Sequence, residues 1–234
     1  MKKALWFSGG KDSMACLFLN AHRLDEICVI YADTGRYYPE QHVTVQKAKE
    51  MCPHWVQINT DRDGQWKEHG LPSDIVPMDW TRLGQSTTHK KETMVQDYLR
   101  CCWENISGPV FRKTKELGCT TVIRGQRADE SHRAPAKDGD IYEGIKFEHP
   151  IENWTREEVI VYLSQRMEIP EHYALDHSSM DCYDCTAFAA HSLDRVAFMK
   201  KKHPLLYTDY KEKLGRLHAA LLSPMRDYER LINA

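Results

Sequence analysis

Residues 5–17 read LWFSGGKDSMACL. An apolar run of strand-forming residues stops at Ser8, two glycines follow, and Met14, Leu17 and Phe18 then recur at helical spacing. The reading is strand, tight loop, helix. Gly9 and Gly10 let the backbone turn sharply and approach a ligand closely. A helix starting at Lys11 aims its unpaired N–H groups and positive dipole end into that loop. Ser8 and Ser13 add hydroxyls and Lys11 adds a cation, which makes a phosphate cradle. The spacing G-x-x-x-x-G-K-S/T of a Walker loop is absent. A plain turn with an Asp/Ser helix cap is the bland alternative, and the order strand, SGGKDS, helix argues against it.

The same alternation continues outward. EICVIYA (26–32), HWVQIN (54–59) and CTTVIRG (119–125) read as strands. The stretch from Lys11 to Leu24, HVTVQKAKEM (42–51) and GPVFRKTKELG (108–118, closed by Gly118) read as helices. Strands alternating with helices predict an α/β fold with a doubly wound, mostly parallel sheet. Ligands of such sheets sit beyond the carboxyl ends of the strands. Three unusual polar segments fall there: SGGKDS (8–13), ADTGRYYPE (32–40) and GQRADESHR (125–133). Residues 60–90 read as loop, either a lid or a surface insertion. WTREEVIVYLSQRM (154–167) reads as a helix opening on a capping box of Thr155 and Glu158, with IPEH (169–172) stopping it. Residues 195–230 read as a helical tail with nine Lys/Arg against four Asp/Glu. The expected organisation is a nucleotide-binding α/β domain over 1–180, with the C-x-x-C and helical tail of 181–234 packed on it. No repeat is visible.

Composition narrows the function classes. The chain has 234 residues, 41% hydrophobic and 28% charged, with a net charge of −2. These are ordinary values for a globular protein, and they supply no bulk pull toward nucleic acid or a membrane. The basic tail leaves a nucleic-acid or acidic-protein contact open, though a solvated helix face explains it as well. No apolar run approaches the ~20 residues of a bilayer span, and MKKALWF is too short for a signal-peptide core. The expected location is the cytoplasm. Eight cysteines there point to metal or redox chemistry rather than a disulfide framework.

The motifs resemble those of a known family. SGGKDS is similar to the SGGxDS loop of the PP-loop ATP pyrophosphatase superfamily. More narrowly, the chain resembles the phosphoadenylyl-sulfate reductase family. YADTGRYYPE resembles its D-T-G-x-x-x-P-E segment, IRGQRADESHRAP its G-x-R-x-x-x-S-x-x-R segment, and HPIENWTREEVIVYL its H-P-I/L-x-x-W-S/T stretch. The matches run in family order from residue 4 to 186. The resemblance implies that Ser8, Gly9, Gly10, Asp12 and Ser13 hold phosphate or pyrophosphate. It puts Asp33, Gly35, Gly125 and Arg127 near an adenine nucleotide and Arg133 on an anionic group. Lys11, Asp12, Arg127 and Arg133 are then the expected catalytic side chains. Planar guanidinium groups suit phosphate or sulfate, although each arginine also suits a surface salt bridge.

Cys101 and Cys102 are adjacent, and Cys182 and Cys185 form a C-x-x-C. Four thiolates suit an iron–sulfur cluster or a tetrahedral zinc. The CC…CxxC pattern, with Thr186 after the last cysteine, resembles that of assimilatory adenylyl-sulfate reductases and implies a 4Fe–4S cluster, with zinc as the alternative. Similar cysteine sets occur in related ATP pyrophosphatases of DNA phosphorothioation. Cys16, Cys28 and Cys119 read as buried hydrophobes, and Cys52 has no reading.

The reductases share a C-terminal E-C-G-L/I-H segment whose cysteine attacks sulfur, and no cysteine follows Cys185 here. Sulfonucleotide reduction needs such a thiolate. The expected function is therefore an ATP pyrophosphatase or adenylyltransferase in sulfur transfer. It would use ATP with Mg²⁺ and a sulfur-donor protein such as a cysteine desulfurase. A reductase of adenylyl sulfate or phosphoadenylyl sulfate using a thiol in trans is the second reading, and a non-catalytic nucleotide-binding partner the third. The acceptor and the oligomeric state have no legible signature; an oligomer is left open.

Overall fold

A computed structural model describes residues 1–88, 93–130, 135–175 and 182–234. The chain divides into two compact units. One comprises Met1–Thr60 and Ile106–Tyr173, and the other comprises Asp61–Asn105 and Cys182–Ala234. Residues 61–105, read with 1–180 as one α/β domain, group here with Cys182–Ala234.

The first unit is the doubly wound domain. Its elements are β1 (Lys3–Phe7), α1 (Lys11–Leu19), β2 (Ile27–Asp33), α2 (Pro39–Met51) and β3 (Trp55–Asn59). After the excursion into the second unit come α6 (Gly108–Glu116), β6 (Thr121–Arg124), β7 (Ile141–Tyr142), β8 (Ile145–Glu148) and α7 (Arg156–Ser164), and the unit's described residues end at Tyr173 within the short α8 (His172–Leu175). The sheet order is β3-β2-β1-β6-β8-β7. Every pairing is parallel except β7 with β8. Strand order reverses between β1 and β6, so this is the switch point where a crevice opens at the carboxyl edge.

Burial on both faces explains the nearly continuous apolar character of the inner strands. Leu5, Phe7, Val29, Tyr31 and Ile123 pack with Met14, Leu17, Val159 and Leu163 on one face. Ala4, Cys28, Ile30, Val122 and Phe147 pack with Val110 and Phe111 on the other. The helix expected to reach Leu24 ends at Leu19. The Asn20 side chain donates to the Cys16 carbonyl at 2.7 Å and accepts from Arg23, which diverts the chain into a 3₁₀ turn over Ala21–Glu26. The expected capping box is present: Thr155 Oγ1 accepts from the Glu158 N–H, and the Glu158 carboxylate accepts from the Thr155 N–H.

The second unit corrects the expectation of loop over 60–90. It contains α3 (Arg62–His69), β4 (Leu71–Ser73), α4 (Arg82–Thr88), β5 (Val95–Asp97), α5 (Tyr98–Cys102), α9 (Leu193–Lys202) and α10 (Pro204–Ile232). β4 and β5 form a small parallel pair. Asp61 caps α3 by accepting from the Gly64 N–H, a local signal hidden in a polar stretch. The core joins Trp66, Leu71, Trp80 and Val95 to Leu217 and Ala220. Burial against residues more than 100 positions away orders a segment whose own composition is loop-like. The helical tail is present but broken at His203–Pro204. Among the described residues, no helix is long and apolar enough to cross a membrane.

Candidate functional site

The crevice between β1 and β6 is built from backbone first. Gly9 takes φ +83°, and a Cβ there would lie 2.7 Å from Gln41 Nε2 and 3.1 Å from Val45 Cγ2. Gly125 is tighter still. A Cβ on it would lie 2.4 Å from the Asp12 carbonyl carbon and 2.6 Å from both Asp12 O and Ser13 N. Only glycine lets the end of β6 touch the first turn of α1.

Hydrogen bonds then fix the loop. Ser13 Oγ donates to the Gly10 carbonyl at 2.9 Å, and the Ser8 N–H donates to Ser13 Oγ at 3.3 Å. Gly10 N–H donates to Ser8 Oγ at 3.3 Å. Gln41 Nε2 donates to the Ser8 carbonyl at 2.8 Å, and the Lys11 N–H donates to the Tyr173 hydroxyl at 2.7 Å. The sequence pattern assigned no role to Gln41 or Tyr173. Tyr173 carries no motif, and Gln41 lies one residue past the DTG segment.

A line of charges runs along this edge. Lys11 Nζ lies 2.5 Å from Asp12 Oδ2, and Arg127 Nε donates to Asp12 Oδ1 at 2.9 Å. Arg127 also pairs with Asp129 at 2.6 Å and with Glu130 at 3.9 Å. Arg127 is 6% exposed, so its role is no surface salt bridge: Asp12 ties it to the start of α1. Burial pushes the Glu130 carboxyl up to about 7, and Asp12 adds to that, against the opposing pull of Arg127, Lys11 and Arg124. At the end of β2, Asp33 Oδ1 accepts from the Gly35 N–H at 2.8 Å while Oδ2 accepts from Gln57. The structure therefore brings Ser8, Gly9, Gly10, Lys11, Asp12, Ser13, Gly125 and Arg127 together, with Asp33 and Gly35 at the neighbouring strand end. Arg133 lies outside the described residues.

All four motif cysteines lie in the second unit. Cys101 and Cys102 close α5, which continues into a π-helical turn over Trp103–Ser107. Cys182 and Cys185 form a turn in which the Cys185 N–H donates to the Cys182 carbonyl at 3.1 Å. Trp66 Nε1 donates to Cys101 Sγ at 3.1 Å, and Asn105 Nδ2 reaches it at 3.7 Å. Burial pushes the Cys101 thiol up to about 11, the Trp66 bond opposes that, and Cys185 adds to it. Burial likewise raises the Cys185 thiol, against the pull of Arg195.

Between the two cysteines of the C-x-x-C, Asp184 is fully buried and gripped by two cations. Arg62 holds both of its oxygens, at 2.5 and 3.0 Å, and Lys213 donates to it at 2.6 Å. Burial alone would raise this carboxyl, but Arg62 and Lys213 outweigh it and hold it below its ordinary value. Arg62 also stacks on Trp66 at 3.8 Å. Arg195 donates to the Cys185 carbonyl at 3.3 Å. N–H groups aimed at sulfur and cations beside thiols are the outer-shell features that suit a thiolate-ligated metal. Among the described residues, however, no three His, Cys, Asp or Glu side chains converge as a metal-binding group. Cys16, Cys28, Cys52 and Cys119, all in the first unit, are buried free thiols, as read for three of them.

A glycine–serine loop at the switch point of a mostly parallel sheet is the architecture of a PP-loop nucleotide-binding fold. The model of the phosphoadenosine phosphosulfate reductase domain matches residues 2–188, and the chain belongs to that family. A phosphoadenylyl-sulfate reductase from Candida auris, solved as a phosphate complex, shares the fold at 19% identity with a TM-score of 0.52, over 77% of this chain and 80% of that one. A predicted subunit of a tRNA methyltransferase from Methanocaldococcus jannaschii aligns at 15% identity and a TM-score of 0.38, over 86% of this chain and 88% of that one. No curated protein sequence matches.

Proposed function

We propose that the protein is an ATP pyrophosphatase or adenylyltransferase acting in sulfur transfer. The carrying observation is the SGGKDS loop, locked between Gly125, Gln41 and Tyr173 at the switch point. In this reading the triphosphate of ATP lies against the Ser8–Ser13 loop. The α1 N-terminus and Lys11 stabilise the negative charge that builds on the leaving pyrophosphate. Arg127, held by Asp12, stays oriented toward the phosphates without a large reorganisation when they arrive. An acceptor oxygen attacks the α-phosphorus, the bond to the β-phosphate oxygen breaks, and pyrophosphate departs. When bound, Mg²⁺ would supply charge neutralisation for that leaving group.

The first unit offers no activated thiol for the alternative chemistry. Burial raises the thiols of Cys16, Cys28 and Cys119, and pushes Cys52 up to about 11. A sulfonucleotide reductase needs a thiolate nucleophile, so in that reading it comes from elsewhere. Cys101, Cys102, Cys182 and Cys185 are the residues that would hold a 4Fe–4S cluster, with zinc the alternative occupant. The cluster would supply sulfur carriage or structural cross-linking there. The Trp66 and Asn105 donors and the charges of Arg62 and Arg195 support such a group.

The test is pyrophosphate release from ATP, compared with thiol-dependent sulfite release from adenylyl sulfate. Pyrophosphate formation that is lost in Ser8→Ala and Asp12→Asn supports the proposal. Sulfite release without pyrophosphate formation overturns it in favour of the reductase. Nucleotide binding with neither activity leaves a non-catalytic module. For the cluster, anaerobic preparation followed by iron and sulfide assay is decisive. Iron and sulfide in a coloured protein are expected, and a colourless protein carrying one zinc refutes it.

A further inference from the structure

Arg124 and His149 occupy matching places on adjacent strands. Arg124 is the last residue of β6, and His149 follows the last residue of β8. The parallel register pairs Ile123 with Glu148, so the next step along both strands sets Arg124 beside His149 at the carboxyl edge. Both lie on the α6 face of the sheet, in line with Trp6 of β1. The phosphate loop leads into α1 on the opposite face.

Both side chains have unused bonding capacity. Arg124 makes no ion pair or hydrogen bond among the described residues, and its guanidinium rests over the Trp6 ring at 5.2 Å. His149 is 3% exposed, and among the described residues neither ring nitrogen has a partner. A half-buried guanidinium resting only on a ring and a buried imidazole without a described partner both favour an acceptor, and their juxtaposition at the carboxyl edge suits a shared one. Burial, and then the charge of Arg124, hold His149 below its ordinary value, so its imidazole is neutral and can donate one hydrogen bond.

The neighbouring carboxylates compete little for Arg124. Asp138 Oδ1 accepts from the His149 backbone N–H at 2.7 Å, and Asp140 Oδ2 accepts from the Lys137 N–H at 2.8 Å. Glu152, in the following turn, acts on the imidazole through its charge, and among the described residues it makes no ion pair with Arg124. Glu130 lies within electrostatic reach of Arg124, Arg127 and Lys11 alike, and so links this pair to the phosphate loop.

We propose that Arg124 and His149 form a second oxyanion subsite, for a phosphate or sulfate group carried by a ligand of the nucleotide edge. This rests on reading that edge as the nucleotide site. Arg124 supplies charge and a planar fork of donors, and His149 adds a neutral donor. The group belongs either to the nucleotide itself or to the acceptor that attacks it.

The test is a titration of the full-length, ¹⁵N-labelled chain with sodium sulfate and with inorganic phosphate, against sodium chloride at matched ionic strength. The readout is the ring-nitrogen resonances of His149. Saturable shifts are expected with either oxyanion and not with chloride. In Arg124→Gln the apparent Kd should weaken by about tenfold or more. A second variant, His149→Asn, is read through the Arg124 Nε–H signal and guards against misfolding of the first. His149 resonances that ignore both oxyanions, or that shift equally in Arg124→Gln, overturn the subsite. An Arg124 held by the Trp6 ring alone gives that null result.

Saturating ATP separates the two sources. If ATP alone produces the shift and blocks sulfate, the group is the nucleotide's own. If sulfate still titrates His149 beside bound ATP, the group belongs to the acceptor. Pyrophosphate binding, followed at the Gly9 and Gly10 amides, tests the underlying reading separately. Its failure removes the nucleotide site, whereas silence at His149 with a responsive loop removes only the subsite.

Discussion

Replacing Gly125 with alanine tests whether the contact between β6 and α1 positions the phosphate loop. The new Cβ would sit 2.4–2.6 Å from three backbone atoms of Asp12 and Ser13. Ordinary contact needs about 3.4 Å or more, so the strand end and the helix start must separate by roughly 1 Å. Backbone cannot rotate aside as a long side chain can. Overpacking of this kind costs about 1–3 kcal/mol, which for a chain of this size lowers the melting temperature by several degrees. The catalytic loss should be larger. A displacement of roughly 1 Å in a positioning element can cost about 100-fold in rate, and here the displaced atoms belong to Asp12 and Ser13 themselves. The assay is pyrophosphate release at saturating ATP, paired with thermal melting. Gly215→Ala is the control: it lies in α10 with nothing within 4 Å of its Cβ, and helix propensity alone predicts a gain of up to about 1 kcal/mol. Wild-type turnover and melting in Gly125→Ala would refute the claim that this contact sets the loop.

Three further perturbations read other parts of the molecule. Asp184→Asn leaves Arg62, 1% exposed, without its full counter-charge, at a cost of about 3–5 kcal/mol. Because the folded carboxyl titrates below 3.8, its stabilisation is complete above about that pH and disappears as pH falls through the lower folded value. Acid unfolding followed by tryptophan fluorescence should lose that slope in the variant, and an unchanged slope refutes the network's role. Glu130 has the opposite sign. Its folded pKa, raised from 4.5 to about 7, stabilises the protein at low pH and loses that contribution as pH rises through about 7. Denaturant midpoints of Glu130→Gln should therefore fall less between pH 5 and pH 8 than those of the parent. Tyr173→Phe removes the hydroxyl that now occupies the Lys11 N–H. Pyrophosphate should then bind tighter by about fivefold, the worth of one competing hydrogen bond, and weaker binding in a calorimetric titration would show that Tyr173 helps the ligand instead.

What the sequence disclosed was local. The strand–loop–helix signal at 5–17, the capping box at Thr155 and Glu158, and the stop at Gly118 each lie within a few residues and appear in the structure. What it concealed was non-local. Arg62 meets Asp184 across 122 positions, and no pattern around Arg62 announces the pairing. Trp66, Leu71 and Trp80 sit in a stretch dominated by Asp, Gly, Pro and Thr, and they become a core only when Leu217 and Ala220 arrive from α10. Propensity alone cannot order such a segment, because short elements depend on tertiary burial. The candidate site divides the same way. Its glycines and serines were legible because a phosphate loop demands them at fixed spacing. Gln41, Tyr173, Arg124 and His149 were not, because each reaches the edge from a different element.

The cysteines illustrate how a unit boundary carries chemical information that spacing does not. Eight cysteines scattered over 170 positions divide four and four between the two units. Those of the first unit are buried, and burial raises the thiols of Cys16 and Cys52. Those of the second unit lie among cations and N–H donors: Arg62, Arg195, Trp66 and Asn105. A cation near a thiol favours the thiolate, and an N–H aimed at sulfur stabilises its charge. Burial still raises the Cys101 and Cys185 thiols, so the two units differ in the donors and cations around sulfur and not in the direction of the shift. The proposed sulfur-transfer reading rests on that difference: it assigns phosphate to the Ser8–Ser13 loop of the first unit and sulfur chemistry to the four motif cysteines of the second.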